Sequence, residues 1–401
     1  MSSNEPAPAS VAPVAPPAPP RAPRVDVILF NGESVLALRL AYLTPHVDAF
    51  VIVEARRAHS GAVKLPNGGY YHTQPDFAEV IERARKHRPV YVLTIPEFPA
   101  FPSEPSSAAA DPDAPPAPTA QAISGGSNLF SAVLTPAALE TAAAPEPYMA
   151  PGSHASWFRE KTQRNWPTQF LLETFPDPAT VFVVADVDEI PTAGALAALS
   201  EIYGCPPPPE AFAARVSDPE SAPPVACGPV HLECVMYYYN YNWRKKYPWL
   251  HPFAIGRAAL GALVAAGLTL SDMRTGPPPT APNADALILA LGPLRVLPNA
   301  GVHLSYFLSR ADLRRKLASF AHRECDLPEH KTDAHLTACF CEGRDLMNRE
   351  AEHERLVRTA PTEAGDRMGV NGVAFQQYIV SVQEEQYTAP PSVPRPPTPM
   401  P

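Results

Sequence analysis

Along the chain, short continuous apolar runs alternate with segments whose apolar residues recur three and four positions apart. The β-branched runs at 25–30, 49–54, 90–95 and 181–185 predict strands. Runs that are apolar at every position, rather than every second one, suit strands buried on both faces of a parallel sheet. Between them, 35–43 reads as a helix, and Phe77, Val80, Ile81 and Ala84 make the i, i+3, i+4, i+7 stripe of another. Two more helices are expected at 157–174 and 192–203, the second stopped by Gly204. A βαβα order predicts an α/β fold with a mostly parallel central sheet and right-handed crossovers.

The run Val181-Phe182-Val183-Val184-Ala185 ends abruptly at Asp186, Asp188 and Glu189. Strands of open α/β sheets meet their ligands at the carboxyl edge, so these acids are expected in a binding crevice. Residues two apart share a side in an ideal strand, and both aspartates can then converge on one hard cation such as Mn2+ or Mg2+. Such an ion would bridge protein to phosphate. The plainer reading is that acids open the following helix, where carboxylates are favoured, which accounts for one of them better than for three.

Composition narrows this picture. Of 401 residues 53 are proline, gathered with alanine at 1–24, about 99–150, 205–228, 274–285 and 388–401. Such segments bury too little apolar surface to offset their ordering entropy. The reading is therefore one domain over 25–387, interrupted by three low-complexity inserts and flanked by disordered tails. A net charge of -9 argues against nucleic acid as the partner. No apolar stretch approaches the roughly 20 residues of a membrane span, and no signal-peptide pattern opens the chain, so a soluble, cytoplasmic protein is expected. Cys325, His330, His335, Cys339 and Cys341 lack the paired spacing of a zinc site.

Several uncommon clusters then recur in one order. Phe30-Asn31-Gly32-Glu33 precedes Phe50-Val51-Ile52-Val53-Glu54; Trp157-x-Arg159-Glu160 and Gln163-Arg164-Asn165 precede Asp186-Val187-Asp188-Glu189-Ile190-Pro191. Met236-Tyr237-Tyr238-Tyr239-Asn240-x-Asn242-Trp243, Gly301-Val302-His303-Leu304-Ser305-Tyr306-Phe307, Lys316-x-x-Ser319-Phe320-x-His322-x-Glu324 and Gly343-Arg344-Asp345-Leu346-x-x-Arg349 follow. Together these resemble glycosyltransferase family 17, whose type members are β-1,4-mannosyl-glycoprotein N-acetylglucosaminyltransferases. The resemblance covers most of 25–350 outside the inserts.

The resemblance implies a GT-A-like fold, a UDP-sugar donor, a glycan or glycoprotein acceptor, and inversion at the anomeric carbon. Asp186 and Asp188 would hold Mn2+ or Mg2+, with His303 from a late strand completing the set. Asn31, Glu33, Glu54, Arg164 and Asp186 would line the donor site; Arg159, five residues from Arg164 and about 140° around the helix, would not share its target. An inverting transfer needs one general base, for which Glu189, Glu233 and Glu324 are available. Glu189 leads because it adjoins the aspartates, with Glu324 kept beside it. Tyr238, Asn240 and Trp243 would offer the acceptor an aromatic platform, although part of that cluster must fill the core. Ser309 to Asp312 resembles a capping box for a helix whose Arg314, Arg315 and Lys316 could meet diphosphate, although a solvated face is the expectation.

Two other classes use the same residues. A phosphohydrolase would employ Asp186 as nucleophile and Asp188 as general acid, but that class ordinarily places its nucleophile after the first strand, with an acidic pair later; here three strands come first. A catalytically silent glycan- or nucleotide-sugar-binding protein would keep the fold alone.

Overall fold

The computed structural model describes residues 21–101, 154–204, 214, 228–275, 295–349 and 355–359. Most of the proline-rich inserts and both ends lie outside them. The fold is mixed α/β. Strands β1 (Arg24–Phe30), β2 (Ala49–Ala55), β3 (Val90–Ile95) and β4 (Val181–Asp186) run parallel in the order β3-β2-β1-β4. Every residue of β1 and β2 is buried, which is why their sequences lack polar alternation.

Beyond β4 the sheet curls and becomes mixed. β8 (Phe253–Gly256) lies antiparallel to β4, and β6 (Val230–Tyr238) antiparallel to β8. β7 (Asn240–Lys245) and β10 (Leu356–Arg358) extend it antiparallel. The long β9 (Arg295–Ser305) runs parallel to β6 and also pairs with the short β5 (Glu189–Pro191). Register fixes the functional edge: Leu29 lies opposite Asp186, and Phe30 opposite Glu54. The carboxyl ends of β1 and β4, with the segment that follows β2, thus border one crevice.

Helices α1 (Val35–Leu43) and α2 (Pro75–Arg85) join the first three strands. The helix expected over 157–174 is two helices, α3 (His154–Asn165) and α4 (Thr168–Thr174). Pro167 explains the break: it has no N–H to donate into a continuing helix, so the helical ladder stops at Trp166, whose amide still donates to the Thr162 carbonyl. After β5 come α5 (Ala193–Tyr203), α6 (Arg257–Ala265), α7 (Leu270–Thr275), α8 (Arg310–Ser319) and α9 (Asp333–Glu342). Thr192 caps α5, and Ser309 accepts the Asp312 amide at 3.1 Å to cap α8.

Two boundaries shift. The tail expected at 1–24 reaches too far, since Ala22 is buried, Arg24 opens β1 and Arg21 forks onto Asp48 at 2.7 and 2.8 Å. The insert expected from 274 begins too early, because Arg274 and Thr275 complete the last turn of α7.

The core has two parts. The larger fills both faces of the parallel strands; the smaller, including Tyr238, Tyr239, Tyr306, Leu313, Leu317 and Phe340, lies beneath α8 and α9. Gly343, at φ +69°, ends α9 so close to Trp243 that a Cβ there would fall 2.3 Å from the indole. Among the described residues no helix is long and apolar enough to cross a membrane.

Candidate functional site

A cleft of about 1050 Å³ opens at the carboxyl edge of β1 and β4. Seven Lys and Arg against five Asp and Glu side chains line it, a basic balance in an acidic protein. At its centre Asp186 accepts Arg164 Nη2 on Oδ1 and Arg274 Nη2 on Oδ2, each at 3.0 Å. Burial raises the pKa of Asp186, but the two guanidiniums outweigh it and hold the carboxyl well below its usual range. Asp188 accepts Lys316 Nζ at 3.2 Å on Oδ2, and its Oδ1 lies 3.6 Å from His303 Nε2. Burial opposes ionisation there too, and Lys316 and His303 override it.

Local structure explains how these groups meet. The chain turns between β4 and β5, so Asp186 ends one strand and Asp188 precedes the next. β5 pairs Glu189 with His303, and Leu304 N–H donates to the Asp188 carbonyl at 2.8 Å. Gly301 permits this approach, for a Cβ there would fall 2.6 Å from the Ile190 carbonyl oxygen and 2.8 Å from Cys234 Sγ. Arg164 comes from the cleft face of α3, which also carries Trp157, Glu160 and Lys161 at i, i+3, i+4, i+7 spacing. Arg159 points elsewhere, donating to the His59 carbonyl at 3.1 Å.

The expected donor residues divide. Asn31 and Glu33 line the cleft: the Asn31 amide donates to Glu33 Oε2 at 2.9 Å, and Asn31 Oδ1 accepts Lys64 Nζ at 2.7 Å. Burial, offset by Lys316 and reinforced by Asp188, raises the Glu33 carboxyl above its ordinary value. Desolvation lowers Lys64 to about 8. Glu54 does not face the cleft; fully buried, it accepts the Tyr71 and His72 amides at 2.6 and 3.1 Å and His72 Nδ1 at 2.8 Å. Its position at the sheet edge is as expected, but its lone pairs hold the following turn.

Glu189, the leading candidate base, is corrected by the same accounting. It is fully buried and accepts both Arg274 nitrogens at 3.0 and 2.8 Å, Trp249 Nε1 at 2.5 Å and the Asp186 amide at 2.8 Å. A carboxylate so committed shapes the turn and has no lone pair left to take a substrate proton. Glu233 accepts the exposed Asn299 amide at 3.3 Å and does not line the cleft. Glu324 falls in the turn Arg323–Cys325, and its side chain lies outside the described structure.

The acceptor platform also divides. Tyr238 lines the cleft, but Asn240 and Trp243 turn away, donating to the Phe340 carbonyl at 3.4 and 3.0 Å. Half-buried Trp157 and Phe320 and exposed His322 line the cleft instead, with the Trp157 and His322 rings 4.7 Å apart.

Sequence reading missed Arg274 and misassigned Lys316. Arg274 was hidden by the proline-rich stretch that follows it; Lys316 leaves the solvated face of α8 and enters the cleft. Arg164 Nη1 and His303 Nδ1 are among the buried side-chain atoms of the described residues that have no hydrogen-bond partner.

The donor set fits a divalent ion in part. Among the described residues no three His, Cys, Asp or Glu side chains converge as a ready ligand cluster. Both Asp186 oxygens face guanidiniums and Asp188 Oδ2 accepts Lys316, leaving Asp188 Oδ1 and His303 Nε2 as the adjacent pair. Mg2+ is commonly held by one or two carboxylates, with substrate phosphates and water completing its shell, and Asp188 is the carboxylate here that such an ion would meet. Elsewhere, His330 and His335 bond the Cys325 and Leu346 carbonyls at 3.0 and 2.8 Å. Comparison of the chain with protein-family models, curated proteins and solved structures finds no match.

Proposed function

We propose that the chain is a glycosyltransferase that takes a sugar, N-acetylglucosamine as the first choice, from a UDP-sugar and transfers it to a glycan acceptor. The observation that supports this most is the pairing of Asp186 and Asp188 with Arg164, Arg274 and Lys316 at the carboxyl edge of β1 and β4. A nucleoside diphosphate carries its charge on phosphate oxygens, and fixed cations in a partly dry cleft offset charge that grows there as the glycosidic bond breaks. The surplus of cations around the cleft suits such a ligand.

In this reading the nucleoside lies toward Asn31 and Lys64, and the diphosphate toward Arg164, Arg274 and Lys316. Asp188 and His303 would hold Mn2+ or Mg2+, with Asp186 beside them; the ion would add Lewis-acid stabilisation of the leaving diphosphate. Acceptor rings would pack on Trp157, Phe320 and His322, whose faces suit the C–H face of a sugar. Of the cleft carboxylates, Glu160 and Asp312 pair with Arg164 and Arg315. Glu33 accepts backbone amides, with no side-chain hydrogen bond to it among the described residues, and burial raises its carboxyl although Lys316 opposes this, so it is the carboxylate assigned to receive the acceptor proton.

The phosphohydrolase reading has less support. A nucleophilic Asp186 needs a free oxygen, and both of its oxygens are engaged by guanidiniums. The deciding experiment is a nucleotide-sugar screen with and without Mn2+, scored for sugar transfer or hydrolysis, beside a phosphomonoester control. Release of phosphate from the control alone would replace transferase with hydrolase.

A further inference from the structure

Behind the acidic turn sits a guanidinium that touches no cleft surface. Arg39, on α1, is fully buried, and its Nε and Nη2 fork onto fully buried Asp26 at 2.8 and 2.7 Å. Its remaining nitrogen, Nη1, donates to three carbonyl oxygens of the turn between β4 and β5: Asp186 at 2.8 Å, Val187 at 3.3 Å and Glu189 at 2.6 Å.

Burying such a pair is costly, and apolar residues of equal volume fill a core at least as well. Packing therefore does not account for it. What an apolar pair cannot do is satisfy the turn, whose carbonyls point inward, away from water, and need donors. Only a planar fork can grip a carboxylate with one edge and a backbone turn with the other; a lysine ammonium lacks that span. With the carbonyls of Asp186, Val187 and Glu189 held from behind, the Asp186 side chain meets Arg164 and Arg274 and the Asp188 side chain meets Lys316.

We infer that Arg39, anchored by Asp26, is a positioning residue that sets the aim of Asp186 and Asp188 without touching ligand. The inference rests on reading the cleft as a nucleoside-diphosphate-sugar site. It explains why a charge pair sits beneath the one turn in which geometry matters most for that ligand.

The test uses the full chain with Arg39→Lys, which keeps the charge beside Asp26 and loses the fork, and Leu171→Ala, a core variant on α4 away from the cleft, as a control for lost stability. UDP with Mn2+ is the titrant, and amide exchange of residues 181–189 is followed in parallel. The expected result for Arg39→Lys is UDP affinity at least tenfold weaker and faster exchange confined to 186–189. Leu171→Ala should lower the unfolding midpoint while keeping wild-type affinity. Wild-type affinity and exchange in Arg39→Lys would overturn the inference, as would equal loss of affinity in both variants. Should Arg39→Lys fail to fold, Asp26→Asn, which keeps an acceptor and removes the anchor's charge, takes its place with the same expectations. A wild-type chain that ignores UDP would refute the functional reading, while the exchange data would still judge Arg39.

Discussion

Arg274 gives both arms of its guanidinium to Glu189, at 3.0 and 2.8 Å, and shares the second arm with Asp186 at 3.0 Å. This relationship makes Glu189 a buried counter-ion. Replacing Glu189 with Gln leaves buried Arg274 with Asp186 as its remaining carboxylate partner, so the unfolding free energy in urea should fall by about 2 kcal/mol or more. The pH–rate profile of whatever protein still folds should keep its shape. A stable Glu189→Gln protein that has lost turnover would restore Glu189 as the base.

Lys64 illustrates a group kept at a cost to stability. Its ammonium donates to the Asn31 amide oxygen at 2.7 Å, and desolvation, which outweighs the nearby Glu54 and Glu33 charges, lowers it to about 8. An unfolded lysine titrates near about 10.4, so between those values the unfolded chain binds more protons and stability rises with pH; below 8 the buried charge is a penalty. Lys64→Met should therefore stabilise the fold at pH 7 by about 1 kcal/mol or more, because the penalty outweighs one lost hydrogen bond. The same variant should bind UDP more weakly, as calorimetry would record. Lower stability at pH 7 would contradict this account.

Asp186 and Asp188 predict the acid limb of stability. Both are depressed carboxylates, so their stabilising effect is complete above the unfolded value of about 3.9 and is lost as pH falls toward the folded values. Thermal unfolding should be insensitive to these groups near neutrality and should weaken steeply below about pH 4. Lys316→Met should make that acid limb shallower. An unchanged limb would mean that Lys316 contributes nothing to holding Asp188 ionised.

Glu33 predicts the pH dependence of turnover. A general base works deprotonated, and the Glu33 carboxyl is raised, so activity should fail on the acid side at a pH above the ordinary glutamate value of about 4.3. Glu33→Gln should lower kcat at least about a hundredfold, within the usual range for a lost general base, and leave UDP affinity near wild type. Equal loss of affinity and turnover would make Glu33 a donor contact only.

Much of the parallel half was legible because burial on both faces of β1, β2 and β4 leaves an unmistakable apolar run. The edge location of Asn31, Glu54 and Asp186 followed from that register. What failed was satisfaction: Glu54 and Glu189 stand where expected, but their lone pairs are taken by the Tyr71–Thr73 turn and by Arg274, and no local pattern announces a partner 85 residues away. Asn240 and Trp243 were misread because an aromatic run looks alike whether its rings meet a ligand or the Phe340 carbonyl. Pro167 was visible, and its power to split 157–174 was underweighted.

The most direct test of the central claim is calorimetric titration of the full chain with UDP, with Mn2+ or with chelator, beside Asp186→Asn with Asp188→Asn. The account predicts saturable UDP binding that Mn2+ strengthens and the double variant weakens at least about tenfold, or about 1.4 kcal/mol, with the fold retained. UDP affinity unchanged by the double substitution, or no affinity in the folded wild-type chain, would contradict it.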